Sequence, residues 1–148
     1  MQFFESQFLR IENLLSYRAR VDSREIGEML SYMGRNLDAL ELEQVGNAIL
    51  SISEVIVQEN RLIFGIEILL PVNRPFVSEG QCVYKPVFLL ENAVSARFVG
   101  EYREIPQIEE EVLSYAKQRR MQTITNVYYV VFPDKLFAAY VGINGNIV

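Results

Sequence analysis

Across residues 13–21, NLLSYRARV, apolar and polar side chains alternate. Leu15, Tyr17, Ala19 and Val21 fall on one side, with Arg18 and Arg20 on the other, which predicts a half-buried strand. The next residues, Asp22-Ser23-Arg24-Glu25, place an Asp N-cap three positions ahead of a Glu, the arrangement of a capping box. Ile26, Met29, Leu30, Met33 and Leu37 then recur at helical spacing and predict one apolar helix face running to about Leu40. From Ala48 the period returns to two. AILSISEVIV and LIFGIEILL are β-rich runs on either side of Gln58-Glu59-Asn60-Arg61, a polar break of hairpin length.

The second half repeats this order. NAVSARFVG (Asn92 to Gly100) alternates as a strand, Glu101 to Ile105 reads as a loop, and Pro106 suits a first helical turn, where its missing N–H has no partner to lose. Glu109, Glu110 and Glu111 sit at the positive end of that helix, and Lys117, Arg119 and Arg120 at its negative end. Ile108, Val112, Tyr115 and Ala116 form its apolar stripe. NVYYVVF and LFAAYVGI flank Pro133-Asp134-Lys135 as a second hairpin. Between the halves, Pro71 to Pro86 holds three prolines and the single Cys82, and reads as a connection. The two helices share a near-identical pentapeptide, EMLSY at Glu28–Tyr32 and EVLSY at Glu111–Tyr115, which suggests a duplicated unit with Leu30 matched to Leu113. The predicted fold class is therefore α+β: one domain over 1–148, with module one at about 13–71, a connection at about 72–90 and module two at about 91–143.

Composition narrows the chemistry. Half of the 148 residues are hydrophobic, enough for a real core, and 14 Lys and Arg against 19 Asp and Glu give a net charge of −5. No basic arm is present, which disfavours nucleic acid as a partner. No spaced Cys or His set is available to hold a metal, and the absence of His removes the commonest general base. Cys82 reads as an inert thiol. With no signal-like start and no apolar run long enough to span a bilayer, the expectation is a soluble, cytoplasmic domain of bacterial type with no cofactor.

The stretch SARFVGEYREIPQIEEEVLSYAKQRRMQ, Ser95 to Gln122, resembles the GyrI-like (SOUL-type) small-molecule-binding domains, a family also found as effector domains of AraC-type and MerR-type multidrug regulators. The resemblance lies in a strand leading into Gly100-x-Tyr102, the short acidic loop REIP, and a helix ending before the tyrosine-rich strand VYYVV; FGIEILLPV resembles the family's closing strand. It implies two strand-helix-strand-strand modules related by pseudo-twofold symmetry, antiparallel sheets with both helices on one face, and a ligand groove between the modules on the other. The sequence departs from the family in three places. No helix-turn-helix segment precedes Asn13, so DNA binding by this chain is not expected. Tyr128 and Tyr129 occupy the region where cation binders carry an acid, and Glu101 stands where Pro is common.

A turn on Glu59-Asn60 would oppose Glu54 to Gly65 and Glu67 to Ile52, placing both carboxylates on one sheet face with Gly65 leaving space between them. A turn on Asp134-Lys135 would oppose Tyr129 to Tyr140 on one face. Glu54, Gly65, Glu67, Tyr102, Tyr129 and Tyr140 are thus the candidate ligand-binding residues: acids and ring faces suited to a hydrophobic or cationic small molecule. A plainer reading pairs the two carboxylates with Arg18 or Arg20, places the tyrosines in the core and makes Tyr102 a loop anchor.

The expected function is a standalone effector-binding module and not an enzyme. A second reading is a protein-interaction partner or chaperone. The family resemblance extends to standalone members found with bacterial secreted-toxin systems, and the strands carry more apolar residues than two helices cover, which suits a homodimer or partner interface. A third reading is hydrolysis, with Glu67 or Glu54 as base.

Overall fold

The computed structural model describes residues 1–146 and has an α+β fold. Its elements are β1 (Phe3–Asp22), α1 (Ile26–Arg35), β2 (Ile49–Gln58), β3 (Arg61–Pro71), β4 (Val83–Val99), α2 (Ile105–Gln118), β5 (Met121–Val131) and β6 (Leu136–Asn146). Each helix is preceded by a 3₁₀ turn, Ser23–Glu25 before α1 and Tyr102–Glu104 before α2, so strand, turn, helix and hairpin occur twice in the same order. The chain divides into two compact units, Ile11–Phe88 and a discontinuous one made of Met1–Arg10 with Leu89 onward.

In the first unit β3 lies between β1 and β2, and both pairings are antiparallel. Tyr17 pairs with Ile68, Ala19 with Ile66 and Val21 with Phe64, so these six share one face, as the alternation predicts. Ile26 opens α1 and is fully buried with Phe64 and Ile68. Asp22 caps the turn ahead of it: its Oδ1 accepts from Arg24 N at 2.9 Å. The Arg24 side chain and, at 3.1 Å, Arg61 also reach its carboxylate. These partners, the Arg24 hydrogen bonds foremost, hold the Asp22 carboxyl well below the usual range.

The second unit orders its strands β5-β6-β4, again antiparallel. Tyr129, Val127, Phe137, Ala139 and Val141 share the face on which α2 packs, and Ile105, Val112 and Ala116 are its fully buried helical residues. Glu101 and Glu104 form a capping box, and Glu104 folds back so that Glu101 N donates to it at 2.6 Å. A Cβ on Gly100 would collide with that carboxylate, which gives the Gly-x-Tyr motif a local reason.

Four expectations require correction. β1 begins at Phe3 and not near Asn13: Ser6 and Asn13 adopt left-handed backbone (φ 57° and 58°), and such bulge-prone sites disturb the strand period. β4 begins at Val83, inside the predicted connection, because the φ of Pro86 is compatible with an extended strand and costs only a ladder donor. In the first hairpin the register is as expected from Gln58↔Arg61 to Glu54↔Gly65, but Ser53 is then an extra residue, so Ile52 pairs with Ile66 and Glu67 pairs with Ser51. In the second hairpin Asp134 and Lys135 do form the turn, with φ 62° and 60°. Pro133 lacks the N–H needed to complete the closing pair, and Phe132 N takes the Leu136 carbonyl instead at 2.9 Å. The register slips by one: Tyr128, not Tyr129, faces Tyr140, and Tyr129 faces Ala139.

The pentapeptide is also not the true repeat. Glu28 is the third residue of α1 whereas Glu111 lies in the middle of α2, so the two copies are about one helical turn out of step. The positional match is Arg24-Glu25-Ile26 with Arg103-Glu104-Ile105, each ending a 3₁₀ turn and placing a fully buried Ile at the helix start. No helix among the described residues is long and apolar enough to cross a membrane.

Candidate functional site

The face of the first sheet opposite α1 carries Ser16, Arg18 and Arg20 of β1 beside Gly65 and Glu67 of β3, because Arg18 pairs with Glu67 and Arg20 with Gly65. Glu67 is the centre of this face. Its side chain is 13% exposed, and three partners converge on Oε2: Ser16 Oγ at 2.8 Å, Lys85 Nζ at 2.9 Å and Arg18 Nε at 3.7 Å. Burial opposes ionisation of Glu67 more than any other single effect opposes or favours it. The hydrogen bonds from Lys85 and Ser16 and the charges of Lys85 and Arg18 together prevail and hold its pKa below the usual carboxylate value.

Lys85 is placed by its neighbour in β4. Tyr84 donates its hydroxyl to Asn13 Oδ1 at 2.6 Å and its N–H to Ser78 Oγ at 2.8 Å, and packs edge-on against Phe76. Reciprocal hydrogen bonds between Glu79 and Cys82 close the turn that carries Gln81. Ser16, Arg18, Glu67, Gln81, Val83 and Lys85 then line an open cleft of ≈ 450 Å³. On the other face, α1 covers a smaller, almost wholly apolar cavity of ≈ 270 Å³ that includes Leu15, Tyr17, Met29, Met33 and the half-buried Cys82.

The other predicted site residues have distinct surroundings. Glu54 lies on the Glu67 face but is ion-paired with Arg20 at 2.6 Å, with both side chains well exposed (40% and 70%). Gly65 makes room that is already used: an added Cβ would sit 3.0 Å from Ser53 Oγ and 3.1 Å from Glu54 Cγ. Tyr129 is fully buried on the α2 face, where its hydroxyl donates to Glu109 Oε1 at 3.1 Å. Burial first, and then the Glu109 charge, push its phenol far up, while burial raises the Glu109 carboxyl despite that hydrogen bond. Tyr102 packs edge-on against Phe137 at 5.2 Å, and burial raises its pKa. Tyr140 is half-buried on the opposite face of its sheet, facing Tyr128 and Ser95. Within its own unit the structure thus brings Glu54, Gly65 and Glu67 to one face, whereas Tyr129 and Tyr140 lie on opposite faces of theirs.

Ser16, Gln81, Val83 and Lys85 are the cleft residues that sequence reasoning did not single out. The β-branched and aromatic residues Val83, Tyr84, Val87 and Phe88 were a strand signal, interrupted by Pro86. Among the described residues no group of three or more His, Cys, Asp or Glu is arranged to hold a metal ion.

The chain is similar in fold to the C-terminal domain of EcmrR. The crystal structure of that domain aligns with a TM-score of 0.72 at 12% identity, covering 99% of this chain and 100% of that one. EcmrR in its DNA complex, seen by cryo-EM, gives 0.73 at 11% identity; the match covers 98% of this chain but 58% of that chain, so the protein spans little more than half of the EcmrR chain. A structure described as a hydrolase from Listeria innocua aligns at 0.51 and 13% identity, covering 95% of this chain and 93% of that one. No family model matches the sequence. No curated protein matches it either. At these identities the likeness is one of fold.

Proposed function

We propose that the protein is a small-molecule-binding module and that its site is the open cleft around Glu67. The observation that carries this reading is the cleft itself: ≈ 450 Å³ of open space into which a hydroxyl, an amide, a carboxylate and two cations converge beside apolar surface, the usual make-up of a ligand site. The fold shared with the EcmrR C-terminal domain and the GyrI-like character of Ser95–Gln122 support it. The predicted cationic ligand drew on two free carboxylates, and both are occupied by internal cations: Glu54 by Arg20, Glu67 by Lys85 and Arg18.

Binding is favoured over catalysis because Glu67 is a poor candidate base. A carboxylate held below its ordinary pKa by an ammonium and a guanidinium takes up a proton less readily than a free one. The net charge of −5 argues against nucleic acid as the ligand. The test is a small-molecule panel titrated into ¹⁵N-labelled protein and followed by amide chemical shifts. The expected outcome is saturable shifts centred on Ser16, Arg18, Glu67 and Lys85. Shifts absent there, or centred on another part of the protein, would sink the assignment.

A further inference from the structure

We propose that the Glu67 cleft receives the anionic end of an organic acid, a carboxylate carried on a small apolar body. This rests on the cleft being the ligand site and adds the ligand's class. Two cations and one anion meet there, and they are not equally accessible: the Arg18 side chain is 81% exposed and that of Lys85 42%, against 13% for Glu67. A molecule entering from solvent meets the guanidinium and the ammonium first. The carboxylate lies behind them as their counter-ion, with its Oε2 already accepting from Lys85 and Ser16.

A cationic ligand would have to compete with Lys85 for Glu67 Oε2, breaking a 2.9 Å charged hydrogen bond before its own can form. An anion displaces nothing. Arg18 Nε stands 3.7 Å from Glu67 Oε2, beyond a direct hydrogen bond, and the planar fork of a guanidinium matches a carboxylate with two parallel N–H donors. Lys85 adds a second charged donor, and Gln81 lines the same cleft with a neutral amide. Val83, with the methylene stems of Arg18 and Lys85, offers the apolar surface for the rest of the ligand.

Benzoate, benzamidinium and inorganic phosphate are suitable probes: two flat aromatic ions of opposite charge and a bare oxyanion. Amide shifts, with thermal melts of every variant as a folding control, are expected to show benzoate binding at the cleft. Arg18→Gln and Lys85→Gln should each weaken it about fivefold, and Glu67→Gln should tighten it. Because Arg18 is exposed, its variant keeps the test valid even if the Lys85 variant folds poorly. Benzamidinium binding there, weakened by Glu67→Gln, with benzoate silent, would overturn the proposed charge class while leaving the site reading intact. Phosphate matching benzoate would overturn the organic-acid part. Silence of all three probes at the cleft would reject both the class and the site.

Discussion

Glu67 and Glu109 are both partly buried carboxyls, yet their surroundings drive them in opposite directions. Glu67 has two cations and a hydroxyl, so its folded pKa lies below the ordinary value. Its contribution to stability is present above the unfolded pKa, about 4.3, and is lost as pH falls through the folded value. Glu109 has only the Tyr129 hydroxyl against its burial, and its folded pKa lies above the ordinary value. Its contribution is present below about pH 4.3 and lost as pH rises through the raised value. In urea denaturation at a series of pH values, Glu67→Gln should therefore be less stable than wild type at pH 7, with the gap closing as the solution is acidified below about 4.3. Glu109→Gln should do the reverse, gaining on wild type as pH rises, since glutamine still accepts from Tyr129. Parallel pH profiles for the two variants would contradict these assignments. The pairing of Glu54 and Glu67 with Arg20 and Arg18 was legible in the strand alternation. The Glu109–Tyr129 contact was not, because it depends on a hairpin register that Pro133 alters.

Among the elements, the two helix starts carry the clearest prediction. Ile26 and Ile105 are both fully buried at the first residue of their helices, so Ile26→Ala and Ile105→Ala should each cost about 2–5 kcal/mol in denaturant titrations. Leu113, 38% exposed in the copied pentapeptide, should cost well under half as much when changed to Ala. Equal losses at Leu113 and Ile105 would refute the placement of the repeat at Arg-Glu-Ile. The order strand, helix, hairpin was readable because period 2 and period 3.6 alternate cleanly along the chain. Strand ends and registers were less so. A single inserted Ser53, or one proline without an N–H, shifts the pairing by a residue and carries no hydropathy signal.

Viewed as a whole molecule, the chain assigns its first ten residues to the unit otherwise built from Leu89 onward. Phe3 stacks on Tyr115 with ring centroids 4.2 Å apart, the Tyr115 hydroxyl donates to Glu5 at 2.6 Å, and Arg119 lies over the same ring. A double-mutant cycle of Phe3→Ala with Tyr115→Ala should return a coupling of about 1 kcal/mol; strict additivity would mean that the two stacked rings are energetically uncoupled. None of this long-range pairing was visible in the sequence, because the left-handed residues Ser6 and Asn13 break the strand period ahead of Leu14.

That discontinuity sets a schedule for synthesis. As the chain leaves the ribosome, residues 11–88 are complete and can form their sheet and α1 while the rest is still being made. Phe3 is made before any of these, yet its stacking partner Tyr115 lies in α2, and the unit they share also needs β5 and β6, which are translated later. The Phe3 ring therefore has no partner to stack on while residues 11–88 can already fold. Contacts this far apart in sequence must overcome loop-closure entropy before they form, so the pairing of Phe3 with Tyr115 is expected to follow the folding of residues 11–88.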